Sequence, residues 1–169
     1  YVATMSRGIT WLNSGRDGGD FITAARALGI PHPTGYPKYM IVLRVFGDIV
    51  AIGSHAFRAN LLSAMLGAAT VPFVYVAALR TLALLPVQEV GGSGSVRAAA
   101  LIAALSFATS RLFWSQATIT EVYTFNALFG AVLLVLALGT VRDLPEGRSS
   151  GIRNRTLMAL LLGVGLGNH

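Results

Sequence analysis

Two long uncharged apolar segments restrict the fold of this chain more than any other feature of its sequence. Residues Ala59–Leu79 and Val122–Val141 contain no Asp, Glu, Lys or Arg. Each segment has about 20 residues, and a helix of that length, rising about 1.5 Å per residue, crosses a hydrocarbon core about 30 Å thick. The two segments therefore predict membrane-spanning helices.

The composition agrees with lipid as the solvent. Apolar residues make up 54 % of the chain, charged residues only 12 %, and the mean hydropathy is +0.64, whereas soluble domains carry about 25 % charged residues. The net charge of +6 fits membrane orientation or contact with anionic lipid better than nucleic-acid binding. Cysteine is absent, which excludes a disulfide framework and a thiolate metal site.

A third span is predicted over Arg97–Ile119. Residues Ala98–Ser110 are uncharged and the apolar character resumes from Leu112, while the long side chain of Arg111 can reach the membrane interface from within a span. The fold class we expect is therefore all-α, a polytopic transmembrane helical bundle.

Both ends of the sequence suggest a fragment. The chain opens at Tyr1 without Met, and the apolar helix expected from Thr156 reaches the last residue after about 14 residues, too few to cross a bilayer. We expect one membrane domain, in which residues 1–58 hold the end of a first helix and a large loop. Residues 59–169 would then hold three complete spans and one truncated span.

The large loop, Ser6–Arg58, is too polar and too rich in Gly and Pro to span, yet too apolar to be a disordered tail. A short helix is predicted over Asp20–Leu28, and a second over Pro37–Ile52, with Pro in its first turn. The second helix carries Arg44 and Asp48 among apolar residues, a pattern typical of a helix lying in the membrane interface. The spacing of that pair also permits an i,i+4 contact.

The charge distribution does not decide the orientation. Three spans place the loops around residues 80–97 and 142–155 on one side, and the large loop and the short Arg111–Glu121 turn on the other. About six basic residues then fall on the first side and seven on the second, so the positive-inside rule favours neither.

Asp17 and Asp20 are the acidic residues of the densest polar segment, Gly15–Asp20. Two carboxylates three residues apart share a helix face, where one can act as general base while the other orients a partner. The alternative is that Asp17 caps the first loop helix and Asp20 occupies its first turn. Spacing alone favours this structural interpretation.

Glu121 is the acid of the short loop on the same side as Asp17. The spacing from Thr118 to Glu121 matches a capping box, which narrowly favours a structural role. Polar and aromatic side chains nearby in the sequence keep a catalytic role open; these are Trp114, Gln116 and Tyr123.

Two further features have more ordinary explanations. Arg58 precedes a predicted span and is more often an interfacial anchor than a phosphate ligand. The glycines of Gly163–Gly167 alternate with apolar residues, and close helix packing explains them better than nucleotide binding does.

Several segments together resemble a known family. They are SGRDGGDF from Ser14, LGIPHPTGYP from Leu28, RANLLS from Arg58, WSQA from Trp114 with EVY from Glu121, and the closing Gly-Asn-His169. The chain is similar to GT-C superfamily membrane glycosyltransferases, in the family that includes the eukaryotic protein O-mannosyltransferase acting on plexin-type receptor domains. The proline-rich run is the most specific part of the match.

The resemblance implies a mannose-like sugar carried on polyprenyl phosphate, a protein or glycan acceptor, and a first loop on the extracytoplasmic side of a bacterial inner membrane or its equivalent. It implies that Asp17 is the loop acid serving as base or orienter. Asp20 stands where the family more often has Glu, which shortens its reach. Glu121 is a further catalytic candidate. Candidates for binding the substrate or lipid phosphate are His32, Tyr36, Arg58, Trp114, Gln116, Tyr123 and His169.

No cofactor is implied, no His-rich or Cys ligand set indicates a metal site, and metal dependence varies among such enzymes. The competing interpretation is a non-catalytic membrane subunit or scaffold whose loops pack against partners in a membrane complex. A transporter is a weaker alternative, because no charge lies well inside a full span.

Overall fold

The structure is a computed structural model that describes residues 1–85, 88–143 and 149–166. Within these residues all regular secondary structure is helical. This confirms the all-α class. A short 3-10 turn at Leu12–Ser14 precedes the α-helices. These are α1 Gly18–Ala27, α2 Pro37–Ile49, α3 His55–Ala83, α4 Gln88–Thr109, α5 Arg111–Ala117, α6 Tyr123–Asp143 and α7 Ser149–Leu166.

Among the described residues, two helices are long and apolar enough to cross a membrane, His55–Ala83 and Tyr123–Arg142. They cover the two uncharged segments, apart from Val122, as predicted. Helix α7 begins at Ser149, well before the predicted Thr156.

The third span differs from the straight helix predicted over Arg97–Ile119. Helices α4 and α5 pass the same length and hydropathy test only as a pair, bent by 59° between them. The bend lies at Ser110, whose hydroxyl donates to the Phe107 carbonyl oxygen at 2.8 Å. A serine that bonds back to the preceding turn competes with helix continuation, a local effect that hydropathy does not reveal.

The large loop folds as α1 and α2 packed against the start of α3. The bounds of both helices agree with the prediction within a few residues, and the Arg44 and Asp48 side chains form the predicted pair at 2.6 Å. The orientation of α2 relative to a membrane stays a prediction. The buried core beneath the loop joins α1, α2, α3 and the start of α6 through Phe21, Tyr39, Met40, Leu43, Ala59, Leu62, Val122 and Phe125.

Gly67 lies where α3 and α5 approach each other closely. A Cβ added there would lie 2.9 Å from the Ala117 Cβ and 3.6 Å from the Thr124 Cγ2. Small residues at such crossings let helix backbones approach closely. The packing of α5 against α3 therefore depends on this glycine.

We expect Gly67→Ala to lower the thermal unfolding midpoint of the detergent-solubilised protein, because the new methyl group must push α5 away from α3. The cost should be about 1–3 kcal/mol, typical of overpacking. Gly130→Ala in α6 is the matched control, since a Cβ there meets nothing within 4 Å. Equal midpoints for the two variants would contradict the close packing described.

Candidate functional site

A tight turn before α1 fixes the backbone of the acidic segment. Asn13 and Ser14 both have positive φ, 57° and 64°, which is unfavourable for residues other than glycine. The turn is fastened from α5, where the Gln116 Nε2 donates to the Asn13 carbonyl oxygen at 3.2 Å. Gly15 has no room for a side chain, since a Cβ there would lie 2.7 Å from the Thr10 carbonyl oxygen. These contacts fix the backbone position of the neighbouring residues Arg16 and Asp17.

Asp17 occupies the N-cap position of α1, but its side chain makes no capping hydrogen bond. Its carboxylate is 43 % exposed and lies 3.7 Å from the Nε2 of His32. Asp17 therefore stands at the N-cap position without capping the helix through its side chain. Its carboxylate is instead accessible from a cavity.

Asp20 holds the proline-rich segment against α1. Its Oδ2 accepts from the backbone N–H of His32 at 2.9 Å and lies 2.8 Å from the His32 Nδ1. These two contacts with His32 lower the pKa of Asp20. The ring of Phe21 packs beneath those of His32 and Tyr36, each at 5.4 Å between centroids. The segment thus folds back towards Asp17, as a shared site requires.

We expect Asp20→Ala to release the segment around His32, because both contacts are lost. Asp20→Asn should have a smaller effect, since its amide oxygen still accepts from the backbone N–H. The difference in unfolding free energy should be about 1 kcal/mol, the usual net value of such a bond. Limited proteolysis between Leu28 and Tyr36, together with thermal midpoints, measures it. Indistinguishable Ala and Asn variants would refute the anchoring role.

Glu121 is the most deeply buried acid of the site, with 3 % of its surface exposed. Burial and, next, the negative charge of Asp17 raise its pKa to about 7, against the opposing effect of backbone N–H donors from Asp17 and Val122. The predicted capping box does not match the helix start, because Thr118 is the C-cap of α5 and its hydroxyl donates to the Ser115 carbonyl oxygen at 2.9 Å. Helix α6 instead begins at Tyr123.

A cavity of about 860 Å³ joins these groups. The carboxylates of Asp17 and Glu121 reach it together with Arg16. Its other lining residues come from the turn before α1, the end of α4, the bend at Ser110, α5 and the start of α6; they are Ser14, Phe107, Ser110, Leu112, Phe113, Gln116 and Tyr123.

The structure places two of the predicted binding residues away from this cavity. The Arg58 guanidinium donates to the carbonyl oxygens of Gly47, Ile52 and Gly53 at 2.8–3.1 Å. The Trp114 Nε1 donates to the Thr4 Oγ1 at 3.0 Å. Both side chains therefore fasten segments of this fold to one another.

Of the remaining candidates, Gln116 and Tyr123 line the cavity, whereas His32 touches Asp17 from outside its lining and Tyr36 packs behind His32. His169 lies outside the described residues. Arg16 also lines the cavity, although the sequence analysis did not predict it as a binding residue. Its position directly before Asp17 could have indicated this role. In the described part of the chain, no three His, Cys, Asp or Glu side chains converge to hold a metal ion.

The fold and cavity define a class: a helical protein whose described part has two helices able to span a membrane, or three spans if the bent pair is one, and a carboxylate-lined cavity. A family profile described as "Protein O-mannosyl-transferase TMEM260 N-terminal domain" matches residues 17–169. The chain therefore belongs to this family.

Two named relatives support the assignment. The chain is 34 % identical over 124 residues to "Protein O-mannosyl-transferase TMEM260" of Mus musculus, covering 73 % of this chain and 16 % of the relative. It is 29 % identical over 131 residues to the Dictyostelium discoideum protein of the same name, covering 76 % of this chain and 14 % of that relative. The chain thus spans under a fifth of either relative's length. No solved structure matches.

Proposed function

We propose that this chain forms the reaction site of a membrane glycosyltransferase that moves a mannose-like sugar from a polyprenyl-phosphate donor to a protein or glycan acceptor. The observation that carries this proposal is the cavity in which an exposed carboxylate, Asp17, lies beside a buried one, Glu121. The name O-mannosyl-transferase of both relatives supports the sugar and the reaction class.

The proposed reaction is a single inverting displacement. The acceptor hydroxyl oxygen forms a bond to C1 of the sugar, and the bond between C1 and the phosphate oxygen breaks with its electron pair leaving on the phosphate. The hydroxyl proton passes to the Asp17 carboxylate. A positioned base of this kind typically contributes about 10²–10⁴ in rate.

The other residues of the site have supporting roles in this proposal. Below pH 7 Glu121 is mostly protonated, because burial raises its pKa to about 7, and this keeps a second negative charge away from Asp17 and from the donor phosphate. His32 lies between Asp17 and Asp20 and keeps the Asp17 side chain in place. Asp20 is therefore a positioning residue rather than a base.

We also propose that the large loop is extracytoplasmic and that the protein crosses the membrane several times. Helices α3 and α6, both able to span, begin at His55 and Tyr123, and the helices of the large loop pack against α3. Their other ends, near Arg80 and Arg142, lie on the opposite side. Cysteine-accessibility labelling at Ile9 and Arg97 of a full-length variant in intact cells would test this orientation.

The test of the activity uses the full-length protein in lipid nanodiscs. Radiolabelled mannosyl polyprenyl phosphate is offered with a folded protein acceptor, and a nucleotide sugar serves as the alternative donor. We expect transfer from the lipid donor alone, with inversion at C1 detected by NMR of the released glycopeptide. Transfer from the nucleotide sugar alone would overturn the lipid-phosphate donor, and transfer from neither donor would leave the scaffold interpretation as the better one.

A further inference from the structure

Arg16 is the one lysine or arginine among the residues that line the cavity of Asp17 and Glu121, as far as the structure describes the chain. No carboxylate or carbonyl oxygen of the described residues pairs with its guanidinium, and its side chain is exposed to the cavity. An arginine with unpaired donors beside two acids is suited to bind an external anion, because its planar fork matches phosphate oxygens.

The neighbouring arginines of the loop already have partners. Arg26 and Arg44 pair with Asp48, and Arg58 donates to three backbone carbonyl oxygens. The Arg7 guanidinium lies over the Phe57 ring, 5.5 Å from its centroid. Arg16 therefore differs from them both in its location and in its free donors.

The wall beside Arg16 is apolar and comes from the 59° bend between α4 and α5. Phe107 and Phe113 stack there at 4.2 Å between centroids, and the Leu112 side chain is 76 % exposed. A cavity with a cation at one part and an exposed apolar wall at another fits an amphiphile, with its anionic group at Arg16 and its hydrocarbon at the bend.

We propose that Arg16 binds the phosphate of the lipid-linked donor and stabilises it as it leaves, while Phe107, Leu112 and Phe113 hold the first prenyl units. This inference rests on the proposed function. When the bond between C1 and the phosphate oxygen breaks, the phosphate changes from a diester with one negative charge to a monoester with up to two. The attraction to Arg16 therefore grows towards the transition state, and such an interaction raises kcat.

The two acids of the cavity do not prevent an anion from binding. Glu121 is neutral over much of the range below pH 7, so Asp17 supplies the single carboxylate charge there. Arg16 directly precedes Asp17, and the hydrogen bonds of the turn at Asn13–Gly15 fix the backbone that carries both. This places the leaving-group ligand close to the proposed proton acceptor.

The test compares Arg16→Gln, Arg16→Lys and the control Arg7→Gln in the full-length protein in nanodiscs. Binding of sugar-free polyprenyl phosphate and transfer kinetics with mannosyl polyprenyl phosphate are both measured. We expect Arg16→Gln to weaken binding at least several-fold and to lower kcat by about 10², the usual loss for a charge-stabilising donor. Arg16→Lys should be intermediate, because ammonium is a point charge, and Arg7→Gln should match wild type.

The possible results separate the two proposals. Wild-type binding and kcat in Arg16→Gln, with Arg111→Gln impaired instead, would assign the phosphate to the arginine at the bend and overturn the inference alone. An effect on KM without any effect on kcat would overturn the leaving-group role. A wild-type protein that neither binds polyprenyl phosphate nor uses the lipid donor would overturn the proposed function itself.

Discussion

Asp17→Asn in the full-length protein is expected to lower sugar transfer from the lipid donor by about 10² or more, the contribution of a positioned base. The amide keeps the size of the side chain and removes its ability to take up the hydroxyl proton. Because the Asp17 side chain makes no capping hydrogen bond, the same change should leave the thermal midpoint nearly unaltered. Initial rates at saturating donor and acceptor measure the effect.

Asp48→Asn provides the control for charge removal. Asp48 is another acid of the loop, but it pairs with Arg26 and Arg44 and does not line the cavity. We expect its transfer rate to stay near that of wild type. Near wild-type transfer in Asp17→Asn, at equal expression, would move the base to Glu121 and leave Asp17 with a local structural role.

Glu121→Gln is expected to change the pH dependence of stability. In the folded protein the pKa of Glu121 is raised from 4.5 to about 7, chiefly by burial. The native state therefore holds a proton that the unfolded chain has released between these values. The stability that this bound proton contributes is fully present below the pKa of the unfolded chain. It is lost as the pH rises through the pKa of the folded protein.

The expected loss in wild type from pH 4.5 to pH 8 is about 3 kcal/mol, since one pKa unit corresponds to about 1.4 kcal/mol. Glutamine is neutral throughout and mimics the protonated acid, so Glu121→Gln should be free of this loss. At pH 5 the thermal midpoints of wild type and Glu121→Gln should be similar. At pH 8 the midpoint of the variant should be the higher one.

The transfer rate gives an independent check of Glu121. If its protonated form is the active one, wild-type activity should fall above about pH 7, and Glu121→Gln should remain active with that fall reduced. A variant that is inactive at every pH, although stable, would instead identify Glu121 as the proton acceptor. Parallel stability curves for the two proteins would contradict the raised pKa.

The spans and the loop helices could be predicted because each depends on a short stretch of sequence. Burying the backbone of Ala59–Leu79 in lipid requires a helix whatever surrounds it, and Pro37 in a first turn marks the start of α2 wherever the loop lies. The resemblance likewise depended on local runs, and the family match over residues 17–169 confirmed the protein O-mannosyltransferase family, whereas the GT-C superfamily stays a prediction.

The site itself depended on contacts between distant segments. Whether Asp17 caps α1 or faces a cavity is decided by α5 and the loop before α6, which supply Gln116 and Glu121. Arg58 and Arg16 are both loop arginines in the sequence. Only the folded structure shows that Arg58 donates to backbone carbonyl oxygens, whereas the Arg16 guanidinium has no such partner among the described residues. The sequence thus determined which segments are helical, because lipid and backbone hydrogen bonding act locally. The tertiary structure alone decided which charges share a cavity, because burial and pairing arise between elements far apart in the chain.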